Sequence, residues 1–215
     1  MAKYKYLLFD LDGTLTDSAE GITNSVEYAL GKFGITVNDK SVLKKFVGPP
    51  LVDAFMEYYA FTEENAHRAV EYYRERFRDI GIFENAVYDG IPELLRELSE
   101  NSYELIIATS KPEEFAKRIA KHFDIEKYFS LIAGATFDGR LSVKKDIINY
   151  ALEAKGITDK SSVVMIGDRH HDTEGAAAMG VDCIGVLYGY GSREELVESG
   201  ATYIAETVSD IKKFI

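Results

Sequence analysis

The chain has 215 residues, 46% of them hydrophobic and 28% charged, and a formal charge of −11. This is a globular composition with room for one sizeable core and a smaller accessory domain, and the acidic balance argues against a sequence-independent grip on nucleic acid, which rests on a basic surface. No apolar run reaches the roughly 18 residues of a membrane span, and a single cysteine, Cys183, excludes an internal disulfide or a cysteine-based metal centre.

The N-terminal stretch Met1-Ala2-Lys3-Tyr4-Lys5 has no signal-peptide pattern, so the expected location is the cytoplasm. Next comes Tyr6-Leu7-Leu8-Phe9-Asp10-Leu11-Asp12-Gly13-Thr14-Leu15, an apolar run that breaks into two carboxylates and a glycine. The run predicts a buried parallel strand, and loops past the carboxyl ends of such strands hold ligands. Gly13 lets the chain turn, so both acids can crowd one pocket; their repulsion calls for a cation or a raised pKa. A calcium loop would need a third acid before the glycine, which is absent.

Residues 18–84 read as helix after helix. Ile22, Val26, Ala29, Leu30 and Phe33 recur at helical spacing from Ser18 to Phe33. Shorter helices are expected over Asp39–Phe46 and Leu51–Tyr59, around the break Gly48-Pro49-Pro50. Thr62 can cap a long helix whose stripe is Ala66, Val70, Tyr73, Phe77 and Ile80, with Gly81 ending it. Arg68, Arg74, Arg76 and Arg78 on its polar side read as a solvated face, and the tyrosines at 58, 59, 72 and 73 as packing.

From Glu84 onward strands and helices alternate. A helix at Ile91–Leu98 precedes a strand at Glu104–Thr109 and a helix at Glu113–Phe123. A short strand at Leu131–Ala133, a helix at Lys145–Ala154 and a strand at Val163–Ile166 follow, then a small helix at Thr173–Met179 and a strand at Cys183–Leu187. Alternation of this kind predicts an α/β fold, a doubly wound parallel sheet with helices on both faces, here interrupted after its first strand by an all-helical insertion. The expected domains are 1–17 with 85–215 as the α/β core, and 18–84 as a helical cap that can lie over the acid pair.

Three later strand ends carry chemistry. Thr109-Ser110-Lys111-Pro112 places hydroxyls before a helix start, either as caps or as a phosphate cradle, with Pro112 in the first turn. Lys144 and Lys145 open the following helix, and either can supply a cation. Gly167-Asp168-Arg169-His170-His171-Asp172 delivers two acids at i and i+4 from a buried strand, a set of hard oxygen donors suited to Mg²⁺. His170 and His171 read as loop residues rather than metal ligands, and Cys183 as a buried strand thiol.

Asp10-Leu11-Asp12-Gly13-Thr14-Leu15, Thr109-Ser110, Ser142-Val143-Lys144-Lys145 and Gly167-Asp168 to Asp172, in this order, resemble the four motifs of the haloacid dehalogenase superfamily, phosphatase branch. With Phe46-Val47-Gly48-Pro49-Pro50-Leu51, the pattern is most similar to phosphoglycolate phosphatase-like members. The resemblance implies a Rossmann-like core and a Mg²⁺-dependent phosphatase that acts on small-metabolite phosphate monoesters, phosphoglycolate among them, through an aspartyl phosphate. It makes Asp10 the nucleophile and Asp12 the general acid and base. Lys144, with Lys145 in reserve, becomes the catalytic cation, and Thr109, Ser110 and Gly13 hold the phosphate. Mg²⁺ would bind Asp10, the backbone carbonyl of Asp12 and Asp168, with Asp172 behind them. Gly48, Pro49 and Pro50 would choose the ester. Because Asp12 is present, dehalogenation is disfavoured. A β-phosphoglucomutase-like mutase, a nucleotidase, a pyrophosphatase and a non-catalytic phosphate-binding protein are the alternatives. The expected partner is a small phosphorylated metabolite, with no nucleic acid and no membrane, and the chain is expected to be a monomer or homodimer.

Overall fold

Leu7, Leu8 and Phe9 are fully buried, so the first apolar run is covered on both faces. That run is strand β1 (Tyr6–Phe9), and it lies in the middle of a six-stranded sheet. The computed structural model describes residues 3–215; Met1 and Ala2, part of the stretch read for a signal pattern, lie outside the described residues. Two compact units emerge, one of residues 3–16 with Val87–Ile215 and one of Asp17–Ala86. The chain passes between them at two-residue strands, β2 (Thr16–Asp17) and β3 (Ala86–Val87).

The larger unit continues through helix α4 (Ile91–Glu100), β4 (Glu104–Pro112), α5 (Glu113–His122), β5 (Phe129–Ala135), α6 (Lys144–Ala154), β6 (Val163–Gly167), α7 (His170–Met179), β7 (Asp182–Val186), α8 (Arg193–Glu198) and β8 (Tyr203–Ala205). The sheet order is β5-β4-β1-β6-β7-β8 and every neighbouring pair is parallel. Tyr6 is in register with Glu104 on one side and Val163 on the other. The order reverses on either side of β1, so the crevice at the carboxyl ends of β1, β4 and β6 is the switch point where such sheets bind ligands. On one face Leu8, Ile106, Met165 and Cys183 pack with Ile147, Ile148, Ala151 and Leu152 of α6. The alternation of a strand sends Leu7 and Phe9 to the opposite face, where they are equally buried.

The smaller unit holds α1 (Ala19–Gly31), α2 (Leu51–Tyr59) and α3 (Glu63–Phe77). The helix expected over Asp39–Phe46 is a tighter 3₁₀ segment, Lys40–Phe46, capped by Asp39. Aromatic rings fill the interior, with Phe46 5.0 Å from Phe55 and Phe33 4.7 Å from Phe61. The stripe predicted for α3 overreaches at Ile80. The helix ends at Phe77, the chain turns into a short 3₁₀ segment at Gly81–Phe83, and Ile80 is 55% exposed. Arg76 is not a solvated side chain either: both its terminal nitrogens donate to Glu84, each at 2.7 Å. Bidentate pairing of this kind fixes orientation as well as charge.

Among the described residues no helix is long and apolar enough to cross a membrane. Because Leu8 is fully buried in the central strand, Leu8→Ala should lower unfolding stability by about 2–5 kcal/mol, read as an earlier urea midpoint. An unchanged midpoint would contradict the burial described.

Candidate active site

The β1 ladder runs one residue past the strand, since Asp10 N–H donates to Ile166 O at 2.9 Å. This bond fixes Asp10 at the rim of the sheet. The chain then reverses: Leu15 and Thr16 both donate to Leu11 O, and Gly13 takes φ +84°. Gly13 is required twice over, because a Cβ there would also stand 2.2 Å from Asp168 Oδ2.

Strand β4 is longer than expected. It bulges between Thr109 and Pro112, and Pro112 pairs with Ala135. Pro112 therefore precedes α5 instead of sitting in its first turn, and neither Thr109 nor Ser110 caps that helix. The Thr109 side chain is buried and accepts from Lys111 N–H at 3.2 Å, while Ser110 is half-buried beside it. Lys111 lies almost wholly inside, and its Nζ donates to Asp12 Oδ2 at 2.6 Å.

Lys144, the first residue of α6, is 4% exposed. Its Nζ is 2.8 Å from Asp10 Oδ1, 2.8 Å from Asp172 Oδ1 and 3.0 Å from Ala108 O. Lys145 is exposed. Gly175 of α7 makes room for this reach, since a Cβ there would press on Lys144 Cγ at 2.8 Å. Asp168, at the end of β6, is fully buried and accepts from Tyr190 N–H at 2.8 Å and Thr14 Oγ1 at 3.3 Å. Asp172 receives Arg169 N–H at 3.1 Å, a bond that starts α7 at His170. His170 and His171 thus form the first turn of a helix; the loop expected for them is one turn shorter, because Asp172 caps the chain back at Arg169.

The carboxylates of Asp10, Asp168 and Asp172 bring oxygens within 4.8 Å of one another. Burial, partly offset by Lys144 and reinforced by Asp172, pushes Asp10 up to about 6. Burial, with the charges of Asp172 and Asp10, pushes Asp168 well above the usual carboxylate range. Burial alone would lower Lys144, but Asp10 and Asp172 hold its pKa above the ordinary lysine value. Fully ionised, three carboxylates against one ammonium would leave two negative charges in a dry pocket, and the donors are hard oxygens. Both features fit a divalent ion such as Mg²⁺. The Asp12 side chain stands apart from this group, paired with Lys111, with its buried Oδ1 receiving no hydrogen bond.

Gly48, Pro49 and Pro50 belong to the smaller unit, where Gly48 takes φ +106° and Pro50 precedes α2. Sequence reasoning did not single out Lys111, Thr14, Tyr188 or Tyr190. Lys111 directly follows the hydroxyl pair already noted, and the run Leu187-Tyr188-Gly189-Tyr190-Gly191 follows a strand. Asking what each strand end delivers would have found both. Tyr188 donates its hydroxyl to Thr14 O at 3.0 Å, tying that loop to the acid turn.

The family profile of the haloacid dehalogenase-like hydrolases matches residues 7–186. A 5'-nucleotidase from Pseudomonas aeruginosa is 46% identical over 99% of this chain and 96% of its own length. The tyrosine-protein kinase PtkA of Mycobacterium tuberculosis is 38% identical over 96% of this chain and 71% of its own. Among solved structures, a predicted phosphatase from Clostridium acetobutylicum superposes with a TM-score of 0.95 at 53% identity, covering 98% of this chain and 97% of that one.

Raised acid pKa values have a stability consequence whose sign is fixed. Folded Asp10 titrates near 6, above the ordinary value of about 3.9, so the folded state holds the extra proton and wild type loses stability as pH rises through that window. In EDTA, the melting temperature of Asp10→Asn should therefore gain on wild type from about pH 4 to about pH 7. A gap that is flat or moves the other way would contradict the crowding of the acids. Mg²⁺ should raise the wild-type melting temperature and leave that of Asp168→Asn unmoved.

Proposed function

This chain belongs to the haloacid dehalogenase-like hydrolases and is a phosphatase, and we propose that it hydrolyses small phosphate monoesters with Mg²⁺ through an aspartyl phosphate on Asp10. The observation that carries the proposal is the buried contact of Lys144 with both Asp10 and Asp172. It keeps Asp10 next to a cation while burial strips it of water, which suits a carboxylate that must approach a phosphoryl group.

The residues divide the work. Asp10 attacks phosphorus and the ester oxygen leaves. Asp12 protonates that oxygen and later takes a proton from the water that opens the acyl phosphate. Lys111, 2.6 Å from Asp12, holds that carboxylate in place between the two steps. Lys144 and the groups at Thr109 and Ser110 neutralise and orient the phosphoryl oxygens. Asp10, Asp168 and the carbonyl of Asp12 would hold Mg²⁺, which when bound offsets the repulsion between two anions. Asp172, which also caps α7, would support that set from behind.

For the substrate we propose a nucleoside 5'-monophosphate, whose nucleoside leaves through its 5'-oxygen, ahead of the phosphoglycolate expected from the motifs. Support comes from the relative named 5'-nucleotidase, aligned over nearly its whole length. Ester choice is assigned to the helical unit, with Gly48, Pro49 and Pro50 the segment to vary.

A panel of phosphate esters assayed with Mg²⁺ tests the substrate. Nucleoside monophosphates should give the highest kcat/KM; a clear preference for phosphoglycolate or pyrophosphate would reverse the ranking. Asp12→Asn should lower kcat by about 10²–10⁴-fold while the fold persists, and Asp10→Asn should abolish turnover. Full activity in Asp10→Asn protein would sink the mechanism.

A further inference from the structure

At the start of α7, His170, His171 and Glu174 each bring one ligand atom to within 4.8 Å of the others. We propose that these three side chains form a second metal site, selective for a first-row transition ion of the Zn²⁺ class rather than Mg²⁺.

The helix makes the cluster. With α7 beginning at His170, Glu174 stands at i+4 from it and at i+3 from His171, so its carboxylate is within reach of each imidazole. A tetrahedral ion needs its ligand atoms roughly 3.3 Å apart. Side-chain rotations that bring the atoms together by up to about 1.5 Å close the remaining distance.

His170 is already oriented as metal-binding histidines are. Its Nδ1 meets Glu195 Oε1 at 2.8 Å, and its backbone N–H reaches the same oxygen at 2.9 Å. A carboxylate accepts and does not donate, so the ring proton is on Nδ1 and the lone pair on Nε2 is left for an ion. Arg169 Nε also donates to Glu195 Oε1 at 2.8 Å, which sets that guanidinium against a carboxylate. His171 is half-buried, its ring centroid 3.8 Å from that of His170, and neither ring nitrogen makes a hydrogen bond among the described residues. Glu174 is exposed and supplies the negative charge, and water fills the open position.

Two imidazoles and one carboxylate favour Zn²⁺, Ni²⁺ or Cu²⁺, whereas Mg²⁺ prefers oxygen alone. The two sites are therefore separable by ligand type. They are also coupled, because an ion here would clamp the helical turn that carries Asp172 and follows Asp168.

The test titrates Co²⁺, as a visible probe for Zn²⁺, into untagged full-length protein saturated with Mg²⁺. One equivalent should give d–d absorption that Zn²⁺ displaces, and the signal should persist in Asp168→Asn protein. His171→Ala should weaken Co²⁺ binding at least tenfold, and Glu195→Gln about 10–100-fold. Exposed Glu174→Ala provides the same reading if His171→Ala fails to fold, which circular dichroism reports. Absence of the absorption, or a signal lost in Asp168→Asn and kept in both His171→Ala and Glu174→Ala, would overturn the site. Because the readout is binding, its failure would leave the phosphatase reading untouched.

Discussion

The contact between Lys144 and two buried aspartates is the constraint on which the catalytic half of this protein depends. Its ammonium is 2.8 Å from both Asp10 and Asp172, at a depth where an unpaired charge would cost several kcal/mol. Removing the lysine would leave three carboxylates facing one another. With all three ionised, keeping it would leave two negative charges, which a divalent ion would bring to zero. Asp12 has its own cation, Lys111, at 2.6 Å. In the proposed mechanism the Lys144 group would hold phosphate and metal, and the Lys111 pair would hold the proton carrier.

Much of this was legible. The apolar run ending in Asp10 and the second run ending in Asp168 both become adjacent parallel strands, in register from Tyr6 against Val163. Acids at the ends of neighbouring strands have to meet, so the pocket follows from strand order. What strand patterning does not encode is side-chain reach. Lys144 and Lys145 are neighbours with equal chemistry, and only the helix phase of α6 sends one inward and the other to solvent. Strand pattern does not mark Lys111 either: β4 bulges between Thr109 and Pro112, and the lysine there reaches Asp12.

Boundaries failed where a cap or a bulge moved them. Asp172 extends α7 back to His170, turning two presumed loop histidines into a helical pair with Glu174. Ile80 falls outside its predicted stripe because α3 ends at Phe77 and the chain turns. In α7 the cause is a hydrogen bond from Arg169 N–H to Asp172, itself one of the site acids. The residue that steadies the acid pocket also decides where the next helix begins.

The central claim is that Asp10 carries the phosphoryl group covalently. Its most direct test is an acid quench during the first turnover with a nucleoside monophosphate and Mg²⁺, followed by proteolysis and mass spectrometry. A phosphorylated peptide containing Asp10, rising and falling ahead of free phosphate, is the predicted result. Free phosphate released with no phosphate ever found on that peptide would contradict it.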